Sequence, residues 1–371
     1  NKGKVGCKFG NTDPLTIGRF IPDHFRITDS TDGVFSNACT GFTYSGQFFN
    51  YQTAPTLTIT AYNGLSTPTI TANYTGSYAT DHLTKTDFNV TTPLAPATTT
   101  DTSQPGTDGS TLVNILWSPD TASATLVDNG DGSLTYTFGT DSYTYTHEDN
   151  SQIAPFNSLI DIKFSDITDD DDVKAKLQKP DNNWYFLSSS NQYLTQSSGI
   201  SIRFGRLAID NVHGSELSNL DIPMRAEYFN GTNWITNLDD TCTALSLSSN
   251  FSISDLNPTD LTDPAYNNCS FLTQDSPHPI GPDGGSTSIS PSSLTLSNTE
   301  ENNKLVLSAP APDPLLPNKD YTGYLDITSS IDSWLQYDWD NDGEHDNCPS
   351  ARATFGIYKG NSKQIYFREV Y

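Results

Sequence analysis

Thr56-Leu-Thr-Ile-Thr-Ala-Tyr62 alternates Thr with apolar or aromatic residues, and Ser133-Leu-Thr-Tyr-Thr-Phe138 and Ser142-Tyr-Thr-Tyr-Thr146 repeat the pattern. A period of two puts successive side chains on opposite faces, so each stretch predicts a strand with one buried and one wet face. Asn129-Gly-Asp-Gly132 and Gly360-Asn361 supply small residues that accept the positive φ of hairpin turns. No window of fifteen residues carries a 3.6-residue apolar stripe. The best candidate for a short helical turn is residues 173–179, which Pro180 ends.

The chain has 371 residues, which predicts two or three domains. Its 34% hydrophobic and 11% aromatic content is lean, but enough for packed cores. Asp and Glu number 44 against 19 Lys and Arg, a net charge of −25. That field repels phosphate backbones and anionic lipid, so the expectation is no nucleic acid and no membrane insertion, with cations as natural small partners. The longest apolar runs, residues 111–117 and 304–310, fall far short of the ~18 residues that cross a bilayer. The chain opens Asn-Lys-Gly-Lys without Met or a charged-then-apolar leader, so a removed signal or a fragment is expected.

Residues 91–109 and 275–293 are rich in Pro, Gly and Thr and read as loops. Between 172 and 200 the chain passes from an acidic run to a polar stretch, and the domain boundary is expected there. The predicted fold class is all-β: two antiparallel β-sandwich domains, Ig-like or jelly-roll-like, with long loops. They span 1–175 and 200–371, with 176–199 as linker or loop.

Five cysteines, Cys7, Cys39, Cys242, Cys269 and Cys348, include no CxxC pair and no His at zinc spacing. Cys7 with Cys39 and Cys242 with Cys269 would close moderate loops, each worth about 3–4 kcal/mol in the chain-entropy picture. Those two disulfides and an exported protein are the expectation; five reduced thiols in a cytosolic protein is the alternative. Cys348 is left over, as a free thiol or an intermolecular link.

Asp338-Trp-Asp-Asn-Asp-Gly-Glu-His-Asp346 sets oxygen ligands at alternate positions with Gly at the sixth, as a short calcium loop requires. The predicted ligands of a structural calcium are Asp338, Asp340, Asp342, Glu344 and Asp346. Position twelve is Pro349, so the bidentate Glu of an EF-hand is absent. The plain alternative is a solvated acidic turn. A second candidate is Asp166 with Asp169, Asp170, Asp171 and Asp172, where a repelling surface loop is the competing reading.

No HExxH, GxSxG, phosphate loop or kinase set is present. His24 reads as an orienting hydrogen-bonder rather than a general base. Trp184, Trp234, Trp334 and Trp339 could stack on sugars, but core packing is the commoner use of Trp in sandwiches.

Several ordered strings resemble one family. They are Ile17-Gly-Arg-Phe-Ile-Pro-Asp-His-Phe25, Phe42-Thr-Tyr-Ser-Gly-Gln47, Phe204-Gly-Arg-Leu207 with Gly214-Ser-Glu-Leu217, and Pro223-Met-Arg-Ala-Glu-Tyr228. They continue through Asn237-Leu-Asp-Asp-Thr-Cys242 and Trp334-Leu-Gln-Tyr-Asp-Trp-Asp340 to Pro349-Ser-Ala-Arg-Ala-Thr-Phe-Gly-Ile-Tyr-Lys-Gly360 and Arg368-Glu-Val-Tyr371. Together they resemble the C-terminal region of MshQ-like proteins, encoded with the mannose-sensitive haemagglutinin type IV pilus of marine Gram-negative bacteria.

The resemblance implies an extracellular, pilus-associated adhesin or pilus-tip component of the cell surface, longer at its N-terminus. Its partners would be minor pilins, the pilus tip or surface glycans, and it carries over no catalytic residue. In the family's acidic motif Asn341 replaces a Gly, and the family's Asp-x-Asp-Gly-Val stands here as Asp169-Asp-Asp-Asp-Val173, which should weaken the second calcium site. Arg206, Arg225 and Glu227 are expected near loops they brace; outward strand positions are the alternative. The functional expectation is a non-enzymatic adhesin with structural calcium. The alternatives are an assembly element binding minor pilins, or a polysaccharide-active enzyme with two carboxylates in an aromatic-lined groove.

Overall fold

A computed structural model describes residues 20–94, 115–147, 152–246, 251–254, 278–311, 320–341, 343 and 345–356. The chain divides into two compact units. One takes Asn1–Ala38, Gln47–Thr146 and Phe156–Ile202; the other takes Cys39–Gly46, His147–Pro155 and Arg203–Tyr371.

In the first unit one sheet runs in the order Trp184–Phe186, Ala175–Gln178, His24–Thr31, Thr56–Tyr62, Ser133–Thr137, Thr125–Asp128. The alternation that predicts strands works as expected. Leu57, Ile59 and Ala61 are buried, and their register partners Ser30, Ile27 and Phe25 set the sheet's central pair. The turn at 129–132 joins the last two strands, and Gly132 sits at φ 91 with Thr71 O only 2.5 Å from where a Cβ would lie. The second sheet runs Phe88–Leu94, Phe156–Ile167, Tyr193–Arg203, Gly33–Ser36, Phe48–Thr53, Ser142–Tyr145, Ile115–Ser118. Its Phe88 stacks on Tyr136 of the first sheet at 4.4 Å, and Phe164 meets the same ring edge-on at 6.3 Å. Aromatic pairs, each worth about 0.5–1.5 kcal/mol beyond area burial, thus form much of this sandwich core.

The second unit has one sheet ordered Gly205–Ile209, Leu220–Phe229, Lys304–Leu307, Ile289–Ser290, with Trp234–Thr236 beside Leu220–Phe229. The other runs Val212–Gly214, Ser350–Phe355, Gly323–Ser329, Phe251–Ser254. Leu207, Ile222, Met224, Leu305 and Leu307 of the first bury against Leu325, Ile327, Ala353 and Phe355 of the second.

The all-β reading holds, with local corrections. Three pairings are parallel: His24–Thr31 with Ala175–Gln178, Tyr193–Arg203 with Gly33–Ser36, and Val212–Gly214 with Ser350–Phe355. Each joins strands far apart in sequence, so no tight hairpin fixes the direction. Residues 176–199 are not a linker but strands of both sheets of the first unit. The helical turn expected at 173–179 is the strand Ala175–Gln178, because Ala175 and Leu177 are buried while Lys176 and Gln178 are not, a period of two. The loop expected at 275–293 contains a small hairpin, His278–Ile280 with Gly285–Thr287. Residues 95–109 and the Gly360-Asn361 turn lie outside the described residues. Among the described residues no helix is long and apolar enough to cross a membrane.

Candidate functional site

The acidic loop of the second unit is built on a stacked aromatic base. Glu227, 6% exposed on Leu220–Phe229, faces Arg206 on the neighbouring strand through the register pair Arg206↔Glu227. Its Oε2 accepts from Arg206 Nε at 2.8 Å and lies 2.7 Å from Nη2. Its Oε1 accepts from Arg225 Nε at 2.7 Å, and Arg225 Nη1 donates to Asp210 Oδ2 at 2.7 Å. A buried carboxylate held by two guanidinium groups satisfies the rule that buried charge must be paired.

The Arg206 guanidinium lies 4.1 Å from the Trp234 ring centre, 4.7 Å from Tyr337 and 4.8 Å from Trp339. Tyr337 meets Trp234 and Trp339 edge-on and stacks with His345 at 5.2 Å. Arg206 therefore braces Tyr337 just ahead of the loop, Trp339 near its start and, through Tyr337, His345 near its end, in keeping with the role read for it in the sequence. Because cation–π attraction strengthens as water is excluded, this half-buried cluster fixes the loop's base.

Asn347 closes the loop. Its Oδ1 accepts from Trp339 N at 3.0 Å and Asp340 N at 3.4 Å, its Nδ2 donates to Asp340 Oδ2 at 3.5 Å, and its carbonyl accepts from Tyr337 N at 3.2 Å. Asp338 Oδ2 accepts from Gly343 N at 3.1 Å, tying the first acidic position to the sixth. Asn341 and Gly343 take φ of 62° and 99°, so the turn is left-handed at both positions. Asp338 and Asp340 are tied into this turn and Asp346 follows on the same stretch, but the three carboxylates do not converge on a common point, and Asp342 and Glu344 lie outside the described residues.

The second acidic run, in the first unit, folds differently. Asp169 is 4% exposed and turns inward: its Oδ1 accepts from the N–H of Asp171 at 3.0 Å and of Val173 at 2.9 Å, and its Oδ2 accepts from Tyr74 Oη at 3.2 Å. Desolvation pushes its carboxyl up from the usual range. Asp172 takes φ 63, so the turn survives the loss of the family's Gly. Asp170 and Asp171 lie 2.6 and 3.8 Å from His82 Nδ1, and Asp166 accepts from Thr168 Oγ1 at 2.8 Å.

The cysteines correct the sequence reading. Cys39 is bonded to Cys242, 203 residues away, rather than to Cys7, and Cys242 is not bonded to Cys269. Cys348 is disulfide-bonded as well, not left over; Cys7 and Cys269 lie outside the described residues. Nearness in sequence misleads here because Cys39–Gly46 is part of the second unit. Tyr44 on that segment donates to Asp240 Oδ2 at 2.9 Å and accepts from Asn237 Nδ2 at 2.7 Å, and desolvation with the Asp240 charge pushes its phenol well up. Asp240, 1% exposed, also accepts from the N–H groups of Cys242 and Thr243.

His24 is an orienting group in fact: Nδ1 lies 2.8 Å from Asp23, and Nε2 accepts from Arg26 Nε at 3.0 Å. Trp184 takes the Arg26 guanidinium at 4.5 Å and Trp334 packs against the second core, while Trp339 is 38% exposed.

Each of the two units is all-β, and the second is cross-linked by Cys39–Cys242. Residues 10–184 match DUF6701, third domain, and residues 203–370 match DUF6701, fourth domain, so the chain carries two successive domains of the DUF6701 family. No curated protein matches the chain at a significant level. Among solved structures, the Escherichia coli adhesin FdeC is 11% identical at TM-score 0.23, covering 91% of this chain and 66% of its own. The D0-D1 domain of intimin is 10% identical at TM-score 0.18, covering 90% and 98%. The Yersinia pseudotuberculosis adhesin InvE is 10% identical at TM-score 0.17, covering 88% and 59%.

Proposed function

We propose that the chain is a non-enzymatic part of an exported adhesin, carried at the cell surface with a type IV pilus and stiffened by calcium. The observation that carries the reading is the Cys39–Cys242 bond joining segments 203 residues apart, a cross-link that persists in oxidising surroundings. The ordered motifs shared with MshQ-like proteins support the pilus association. Calcium is supported by the spacing of Asp338, Asp340, Asp342, Glu344 and Asp346 in the sequence and by the turn that ties Asp338 Oδ2 to Gly343 N. Bound calcium would supply positive charge that relieves repulsion among these carboxylates.

Binding to the folded form alone adds RT ln(1 + [Ca]/Kd), about 2.7 kcal/mol at a hundredfold excess over Kd. Chelation with EDTA should lower Tm in the wild type and not in Asp340→Asn; an unchanged wild-type Tm removes the calcium. Purified chain coupled to beads should adhere to cell surfaces. Retention of minor pilins alone, without adhesion, would favour the assembly reading instead.

A further inference from the structure

The first unit holds a cleft of about 520 Å³, with Asp166 of the second acidic candidate on its wall but Asp169–Asp172 outside it, within the ~300–1,000 Å³ typical of small-molecule sites. Its inner wall is aromatic: Phe88 stacked on Tyr136, Phe138 edge-on to Tyr136 at 5.3 Å, and Trp117 half-buried on the edge strand Ile115–Ser118. Four carboxylates, Asp87, Asp120, Asp141 and Asp166, line it with one cation, Lys85.

The walls are fixed before any ligand arrives. Asp141, 2% exposed, accepts the Trp117 indole N–H at 2.9 Å through Oδ2 and Asp120 N at 2.9 Å through Oδ1, which sets the plane of the indole. Asp120 Oδ2 accepts from Ser123 Oγ at 2.7 Å and Thr140 Oγ1 at 2.6 Å. Lys85 Nζ donates to the carbonyls of Ala122 at 2.7 Å and Ala124 at 3.1 Å, so the cation is spent joining one wall to the other. Asp166 Oδ1 takes Thr168 Oγ1, and Asp87 Oδ2 takes Thr84 N and Oγ1. Among the described residues, Asp166 Oδ2 and Asp87 Oδ1 accept no hydrogen bond.

We infer that this cleft binds a neutral saccharide, its C–H face on Trp117 and its hydroxyls donating to Asp166 and Asp87. The inference rests on the adhesin reading and names the ligand class and its place. Sialylated, sulfated or phosphorylated ligands meet four carboxylates against one committed cation and are repelled. A purely apolar ligand would desolvate those carboxylates without giving them donors, at a cost of several kcal/mol. A sugar offers both an apolar face and vicinal O–H donors.

The test is an array of neutral, amino, sialylated and sulfated oligosaccharides probed with the full chain, with affinities for the neutral hits measured by calorimetry. Neutral oligosaccharides should bind, Trp117→Ala should weaken them at least tenfold and Asp166→Asn severalfold. Asp166→Asn keeps an amide oxygen for Thr168, so its Tm should be unchanged; it remains informative if Trp117→Ala fails to fold. Neutral hits unaffected by Asp166→Asn would overturn the cleft and leave adhesion standing elsewhere on the chain. Binding confined to amino or anionic glycans would overturn the ligand class. An empty array beside intact cell adhesion would sink the cleft alone, and loss of both would sink the adhesin reading with it.

Discussion

Replacing both Cys39 and Cys242 with Ser tests how the second unit is held together. Crosslinking residues 203 apart removes about 18 cal/mol/K from the denatured chain on the loop-entropy relation, or about 5 kcal/mol at 298 K. That is the upper end of what native disulfides deliver, since residual structure in so long a denatured loop lowers the figure toward about 2 kcal/mol. The native side of the balance changes little at position 242, which is exposed and where the sulfur lies 3.4 Å from Asp240 Oδ1, near enough for a serine hydroxyl to donate there. Urea unfolding followed by near-ultraviolet circular dichroism should show the second unit's transition falling by 2–5 kcal/mol. The slope should rise, because an uncrosslinked denatured chain exposes more surface. Substitution is cleaner than reduction, which would also open the bond at Cys348. A loss below about 1 kcal/mol, or a fall with unchanged slope, would refute the assignment of the stabilisation to the denatured chain.

Glu227→Gln should cost about 3–5 kcal/mol, since it leaves two half-buried guanidiniums facing a neutral amide; thermal melts check it, and a shift under about 1 kcal/mol would mean that the ring stack alone carries the charge. Burial pushes the His24 imidazole down from its ordinary value, so the folded state favours the neutral ring. Its contribution is complete above the unfolded pKa of about 6.5 and is lost as pH falls through the lower folded value, and His24→Gln should flatten the stability profile below that unfolded pKa. Hydrogen bonds from Ser123 and Thr140 depress exposed Asp120 to about 2. Its carboxyl carbon resonance should titrate there, the linked stability being present above about pH 4 and lost toward 2, and Ser123→Ala should return the midpoint toward the ordinary range.

The strands of the first unit are legible because Thr alternates with apolar residues where one face is wet. The same logic, applied to Lys176 and Gln178 between Ala175 and Leu177, would have caught the strand mistaken for a helical turn. Residues 184–186 escape it, since they form an edge strand without a buried member. Cys39–Cys242 is invisible in the sequence, because nothing local says that eight residues, Cys39–Gly46, belong to the second unit. The acidic loop is legible as a turn from its Asp spacing, but its staple, Asn347, carries no signal beyond the composition of the stretch. Trp117 is also missed. Only the Pro119-Asp120 break following it, beside an otherwise apolar run, hints at an aromatic left at a sheet edge.

A covalent ring closed at Cys39 and Cys242 also decides where tension can travel. A pull on the backbone outside that ring passes straight through the sulfur bridge, and the enclosed chain, at ~3.3–3.6 Å per residue some 700 Å of contour, cannot be paid out. The strands from Phe48–Thr53 to Tyr193–Arg203 lie inside the ring and are shielded from load, while His24–Thr31 and Gly33–Ser36 lie outside it.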